Sequence, residues 1–391
     1  MFVRIIGVSL LGLVALAQQP EYKRQDNSHS KLPYSASPNP ASKANWVEFS
    51  YTAAGGRDNT KETTLSTANV NKLVLQSKYK VGGEIPSSPA VVSNVAFFGA
   101  ETNNVYAVLG TTLKWSFATF GTVYSSPAVN NGIVYIGSFD TGLYAINATT
   151  GVKEWVYVAG NAIVSSPVIS GNNIYFTSVD DNVYALDKTT GALVWKYTTG
   201  AYSESSPVVY EGKVFVGSSD GYMYCLNATT GAFVWKYFVG AQDILGSGPA
   251  AYNGNIYFGA NTVDFYALNA KTGALLWQFA TDGDIQSTPA ISGGNVYFSS
   301  YDGNVYSLNA STGALNWKNN LDIERSSPAI ANGVLYIGSD NGKVYALDAS
   351  TGKTLWHYTT KNAVWSSPVV VNGKVYVTSN DGYFYIFHLQ N

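Results

Sequence analysis

Eight prolines in this chain close the phrase Ser-Ser-Pro or a near variant, and the residue three places before each proline is different every time. These residues are Pro86, Tyr124, Val164, Glu204, Gly246, Gln286, Arg325 and Trp365. They are the positions with a claim on chemistry. Trp365 and Tyr124 can stack on a flat ligand or a sugar, and Gln286 can hydrogen-bond one. Arg325 can grip a carboxylate or phosphate. Glu204, together with the nearby Asp284 and Glu324, can accept from hydroxyls or hold a cation. The competing expectation is that Arg325 pairs with Glu324 or Glu204 and that the aromatics simply fill space. Other chemistries are excluded by residue type. His29, His357 and His388 lie far apart and no CxxC spacing exists, so no zinc site is expected and the metal expectation is none. Cys225 is the single cysteine, which rules out a disulfide within the chain.

These residues ride on a repeat. The landmark prolines are Pro89, Pro127, Pro167, Pro207, Pro249, Pro289, Pro328 and Pro368, spaced by 38, 40, 40, 42, 40, 39 and 40 residues. Self-similarity at this period indicates a propeller or a solenoid. Each unit holds four short β segments between Gly, Asn and Asp turns. In the third unit they are Ser166–Ile169, Ile174–Ser178, Val183–Leu186 and Ala192–Tyr197. No window keeps a helical period, so the fold class is all-β, with four-stranded antiparallel blades.

A tryptophan marks the fourth segment seven times, at Trp115, Trp155, Trp195, Trp235, Trp277, Trp317 and Trp356. The eighth unit ends after three segments. The missing strand is Lys72–Lys80, where Ser77 precedes Pro89 by the same 12 residues that separate Trp195 from Pro207. An eight-bladed propeller closed by an N-terminal strand follows, because pairing strands from both ends of the chain leaves no open edge in the ring. The recurring tryptophans are read as packing between blades. The turn Asp and Asn residues before each third strand are read as turn caps; calcium at them is disfavoured, since one carboxylate falls short of the six or more oxygens calcium takes.

In such a ring the variable residues sit where the chain enters each innermost strand, at the mouth of the central channel. The turns between second and third strands, with Glu101, Phe139, Val179, Asn261, Tyr301 and Asn380, open on the same face. Three sequons, Asn147-Ala148-Thr149, Asn227-Ala228-Thr229 and Asn309-Ala310-Ser311, fall in turns of the opposite face and are glycosylation candidates at Asn147, Asn227 and Asn309. The alternative is that Asn-Ala-Thr is repeat grammar, because Asp187-Lys188-Thr189 fills the same slot without a sequon.

Charged residues are 12% of the chain, aromatics 14%, and the net charge is −2, with no basic stripe to suit nucleic acid. Residues 1–17 read as a signal peptide: Arg4, an apolar run, and Ala15-Leu16-Ala17 as the cleavage site. Residues 18–45, rich in Ser, Pro and Asn and holding the dibasic pair Lys23-Arg24, read as a disordered leader or propeptide, with the single propeller in 46–391. A secreted, extracellular protein with no membrane span after signal removal is expected.

The repeat Asn-Ala-Thr-Thr-Gly-Ala-Phe-Val-Trp (Asn227 to Trp235), with Asn45-Trp46 and Asn69-Val70-Asn71-Lys72-Leu73 ahead of it, resembles that of the pyrroloquinoline quinone (PQQ) repeat, quinoprotein alcohol dehydrogenase-like propellers. The resemblance implies an eight-bladed fold and two routes to function. One is a non-catalytic scaffold that binds a protein or carbohydrate partner through its variable face. The other is a PQQ- and calcium-dependent dehydrogenase of alcohols or sugars, with Trp365 against the quinone and Glu204 or Asp284 as base. The absence of a nucleophile or acid–base constellation favours the scaffold.

Overall fold

The computed structural model describes residues 45–240, 246 and 248–390. The expected signal peptide and all but the last residue of the expected leader lie outside these. The described chain is an eight-bladed propeller, each blade a four-stranded antiparallel sheet. Blade 1 runs outward through Ala90–Val92, Val95–Ala100, Asn104–Leu109 and Thr112–Ala118. Blades 2 to 7 repeat this order. Blade 8 takes its inner strands from Val369–Val371, Lys374–Thr378 and Tyr383–Leu389 and its outermost from Leu73–Lys80. The closing strand is therefore the one expected from the spacing, entered through a 3-10 turn at Val70–Lys72.

Burial follows position in the blade. The middle strands touch a neighbouring blade on both faces, so Ile174-Tyr175-Phe176 is buried without a break. The outermost strand touches a neighbour on one face only, so Leu193–Thr198 alternates. The core is a set of apolar layers between blades; Phe97, Val105 and Trp115 of blade 1 pack on Val134, Ile136 and Tyr144 of blade 2.

The tryptophans lock these layers. Trp195 Nε1 donates to Ala228 O of the next blade at 2.9 Å, and Trp115, Trp277 and Trp317 make the same bond to Ala148, Ala310 and Ala349. The turn Asp residues do more than cap. Asp180 accepts from the backbone N–H of Asn182 in its own turn, from the Tyr184 hydroxyl and from Gly160 N–H of the connection entering its blade. Asp140, Asp220, Asp302 and Asp381 repeat the pattern.

Both serines of the landmark phrase are spoken for. The first, as at Ser125, accepts from the second strand (Gly137 N–H, 3.1 Å) and donates to the next blade (Ser165 O, 2.9 Å). The hydroxyl of the second accepts from the backbone of the preceding blade, Ser88 N–H to Ser126 Oγ through to Ser367 N–H to Ser88 Oγ. Blade 5 breaks this hydroxyl ring with Gly248.

Candidate functional site: the mouth of a closed cup

The central channel is closed at one end by a segment that belongs to no blade. Residues 46–59 wind once round the inner wall and bond to the innermost strand of every blade. Trp46 pairs with Val91, Val129 N–H donates to Val47 O, and Ile169 N–H to the Glu48 carboxylate. Val209, Ala251, Ile291 and Ile330 donate to the carbonyls of Ala53, Ala54, Gly56 and Arg57, and Asn59 Nδ2 donates to Val370 O. Inner strands expose unpaired N–H groups to the channel, and this spiral satisfies one in nearly every blade. Arg57, 0% exposed, meets no carboxylate among the described residues. It donates to the carbonyls of Pro328 (2.8 Å), Pro368 (3.0 Å) and Phe49, and its guanidinium lies 4.6 Å from the Phe49 ring. Burial holds it below its ordinary value, at about 9.

Phe49 forms the floor of a cavity of about 170 Å³ that opens at the other end. Its wall is the ring of second serines, and its lip is Pro86, Tyr124, Val164, Glu204, Gly246, Gln286, Arg325 and Trp365. Of the residues singled out in the sequence, Tyr124, Glu204, Gln286, Arg325 and Trp365 come together here. Asp284 and Glu324 do not line the cavity; they sit one step further out in the connections, where burial raises both carboxyls.

A second ring, from the turns between second and third strands, meets the lip by a simple rule: the turn of one blade reaches the lip residue of the next. The Tyr124 hydroxyl donates to Glu101, Arg325 Nε to the Tyr301 hydroxyl at 2.9 Å, and Trp365 Nε1 to Asp340 Oδ1 at 2.7 Å. Tyr301 in turn donates to Gln286 Oε1 at 2.9 Å, and Tyr124 packs edge-on against Phe139. Burial first, then the bond to Glu101, holds the Tyr124 phenol protonated well above its usual range.

Arg325 thus pairs with neither Glu324 nor Glu204 in these bonds; its guanidinium covers one face of Trp365 at 4.2 Å. Asp340 is the residue the sequence reading missed. In most blades the turn Asp is the third residue after the strand, but blade 7 reads Ser339-Asp340-Asn341, which puts Asp340 second and leaves Asn341 in the usual place.

The described lining residues offer calcium a single carboxylate, Glu204, and no group of three His, Cys, Asp or Glu side chains converges among the described residues. Cys225 is buried beneath Trp235, and burial pushes its thiol up to about 12, so it packs as a small apolar residue. No helix among the described residues is long and apolar enough to cross a membrane.

No curated protein matches the chain in sequence. Among solved structures, BamB from Moraxella catarrhalis is 21% identical, with a TM-score of 0.71 over 81% of this chain and 99% of that one. A europium-containing methanol dehydrogenase is 14% identical, with a TM-score of 0.75 over 88% and 98%. Quinohemoprotein alcohol dehydrogenase from Comamonas testosteroni is 14% identical, with a TM-score of 0.75 over 88% and 80%. At these identities the likeness is one of fold. The sequence itself goes further: residues 55–166, 158–245, 225–328 and 302–390 match one repeat family, and the chain belongs to that family, described as outer membrane protein assembly factor BamB.

Proposed function

We propose that the protein is a non-catalytic docking propeller that holds a protein partner on its open face around Trp365, Arg325 and Tyr124. The observation that carries this reading is the pairing of the two rings. The side chains that break the repeat are fixed across blades by Trp365–Asp340, Arg325–Tyr301–Gln286 and Tyr124–Glu101. A pre-ordered polar and aromatic surface of this kind is what a binding face needs, since little side-chain entropy remains to be lost on association. Membership of a family named for an assembly factor supports the same reading. Work outside the cytoplasm is part of the proposal and rests on the sequence of residues 1–17.

The test is a photo-crosslinking amino acid placed at Trp365 and, as control, at Glu211 in an exposed turn of the opposite face. A defined protein cross-linked from position 365 and not from 211, and lost in the Arg325→Ala background at unchanged melting temperature, is the expected result. Equal cross-linking from both positions sinks the proposal.

A further inference from the structure

The net charge of −2 conceals a strong asymmetry between the two ends of the ring. Among the described residues, the loops of the open face carry thirteen carboxylates against two cations, Arg325 and Lys361. The hairpin turns of the opposite face carry Glu211 and the capping Asp187 and Asp348 against three lysines, Lys188, Lys271 and Lys353. Five of the open-face carboxylates serve the repeat, as Asp180 does. Others have no such duty in the blade turns: Asp181 and Asp282 are exposed, and Asp284 is half-buried in the connection that leads to Gln286. Burial, then the neighbouring Glu101, raises the Glu84 carboxyl; burial, then Asp340, does the same to Glu324.

A second, independent feature points the same way. Where the turn-to-lip rule finds no donor in the next blade, an acceptor is left over. Asn380 precedes Pro86 and Ser219 precedes Gly246, neither of which has a donor in its side chain. Asn261 precedes Gln286, whose amide oxygen takes the Tyr301 hydroxyl and whose amide nitrogen makes no bond to Asn261 Oδ1. The Oδ1 atoms of Asn380 and Asn261 and the Oγ of Ser219 are buried and have no hydrogen-bond partner among the described residues. Asn380 is only 6% exposed. It stands where Glu101, Tyr301 and Asp340 stand in their own blades when they reach for the lip.

A matching ligand brings N–H donors and positive charge, and an apolar stem to lie against Phe49, Tyr124 and Trp365. Lysine and arginine side chains have this make-up. Glu204 faces the cup from blade 4, across the ring from Trp365 in blade 8. We propose that the open face docks a lysine- and arginine-rich segment of a protein partner, with one basic side chain entering the cup on the Glu204 side. This rests on the docking reading above and supplies the partner's chemistry.

The experiment uses the full chain and three fluorescent peptides of equal length: one rich in Lys and Arg, one rich in Asp and Glu, one uncharged. Anisotropy titrations are run at low and at physiological salt. The expected result is binding of the cationic probe alone, weakened by salt, and weakened about tenfold more in the Asp181→Asn/Asp282→Asn/Asp284→Asn protein. Glu211→Gln on the opposite face leaves it unchanged. Equal binding of all three probes, or an unchanged affinity in the triple variant, overturns the inference. Competition against the Trp365 cross-link separates the two claims. A cross-linked partner that excess cationic peptide fails to displace overturns the inference and leaves the docking reading standing. Loss of any position-dependent cross-link overturns the docking reading and the inference with it.

Discussion

Ser77 of the closing strand lies opposite Ile386, in the register that sets a tryptophan opposite a small residue in every other blade. Trp195 faces Ala185, Trp235 faces Cys225 and Trp317 faces Ser307. The eighth blade has exchanged the two volumes. It has also lost the lock that a tryptophan there would make onto blade 1, whose outer turn is the short Leu109-Gly110-Thr111. Blade 8 is thus the one blade with no tryptophan in this slot to set against its neighbour, blade 1. Ser77→Trp alone overpacks against Ile386 and is expected to cost about 1–3 kcal/mol. Combined with Ile386→Ala, which by itself leaves a cavity, it should recover most of both losses. A double-mutant cycle by urea unfolding reads the coupling, expected to exceed about 1 kcal/mol. Additive losses would show that the two residues do not share one slot.

The glycines on which six of the seven repeat tryptophans rest offer a controlled comparison. Gly231 has φ +72°, and a Cβ there would come within 2.6 Å of the Trp195 ring; Gly110 has φ +62° and open space. Both Gly→Ala changes carry the left-handed backbone penalty of about 1–2 kcal/mol. Only Gly231→Ala must also displace an indole that is hydrogen-bonded to the next blade. Its loss of stability should exceed that of Gly110→Ala by about 1–2 kcal/mol in chemical denaturation. Equal losses would mean that the indole yields freely and contributes little to the lock.

The blades, their closure and the lip were legible in the sequence because each rests on a period. A side chain that recurs every forty residues announces a structural duty, and one that varies at a fixed register announces the lip. The spiral of residues 46–59 has no period to announce it. It is held mainly by backbone carbonyls, which any residue type supplies, against N–H groups of strands that run from Val91, paired with Trp46, to Ile330, paired with Arg57. Trp46, Phe49 and Arg57 were visible as residues, but nothing in their order says that they close a channel. Asp340 escaped for a narrower reason: a one-place exchange with Asn341 moved the carboxylate from the blade-locking position to the one that reaches Trp365. The left-over acceptors could not be read at all without knowing which turn meets which lip residue.

The sequon asparagines already have work within the chain, and the work is one that aspartate also does. Asn227 Oδ1 accepts from the backbone of Thr229 (2.9 Å) and Thr230 (3.0 Å), and Asp187 and Asp348 make the same pair of bonds in blades 3 and 7. Asn227→Asp should therefore leave the melting temperature unchanged, while Asn227→Ala loses about 1 kcal/mol. When the chain is made in a eukaryotic secretory host, Asn227→Asp should remove one glycan by intact mass and glycosidase shift. A mass that does not change would show that the motif at this turn is structural only.

Glu48 links the closed end of the cup to pH. Its carboxylate lies inside the channel wall, and burial raises it from 4.5 to about 7, with Ile169 N–H opposing the shift. Because the folded value lies above the unfolded one, the folded protein holds a proton that the unfolded chain releases between those two values. Stability on this account is greatest below about pH 4.5, falls as pH rises through the interval, and levels off above 7. The full loss is about 3 kcal/mol. Glu48→Gln keeps the acceptor for Ile169 and removes the charge. Other carboxyls titrate over the same range, so the informative quantity is the difference between the two proteins. Urea unfolding from pH 5 to 8 should show Glu48→Gln gaining on the natural chain as pH rises, with the gap widest at pH 8. A constant gap would mean that Glu48 is as readily ionised in the folded channel as in water, and that the spiral around it admits solvent.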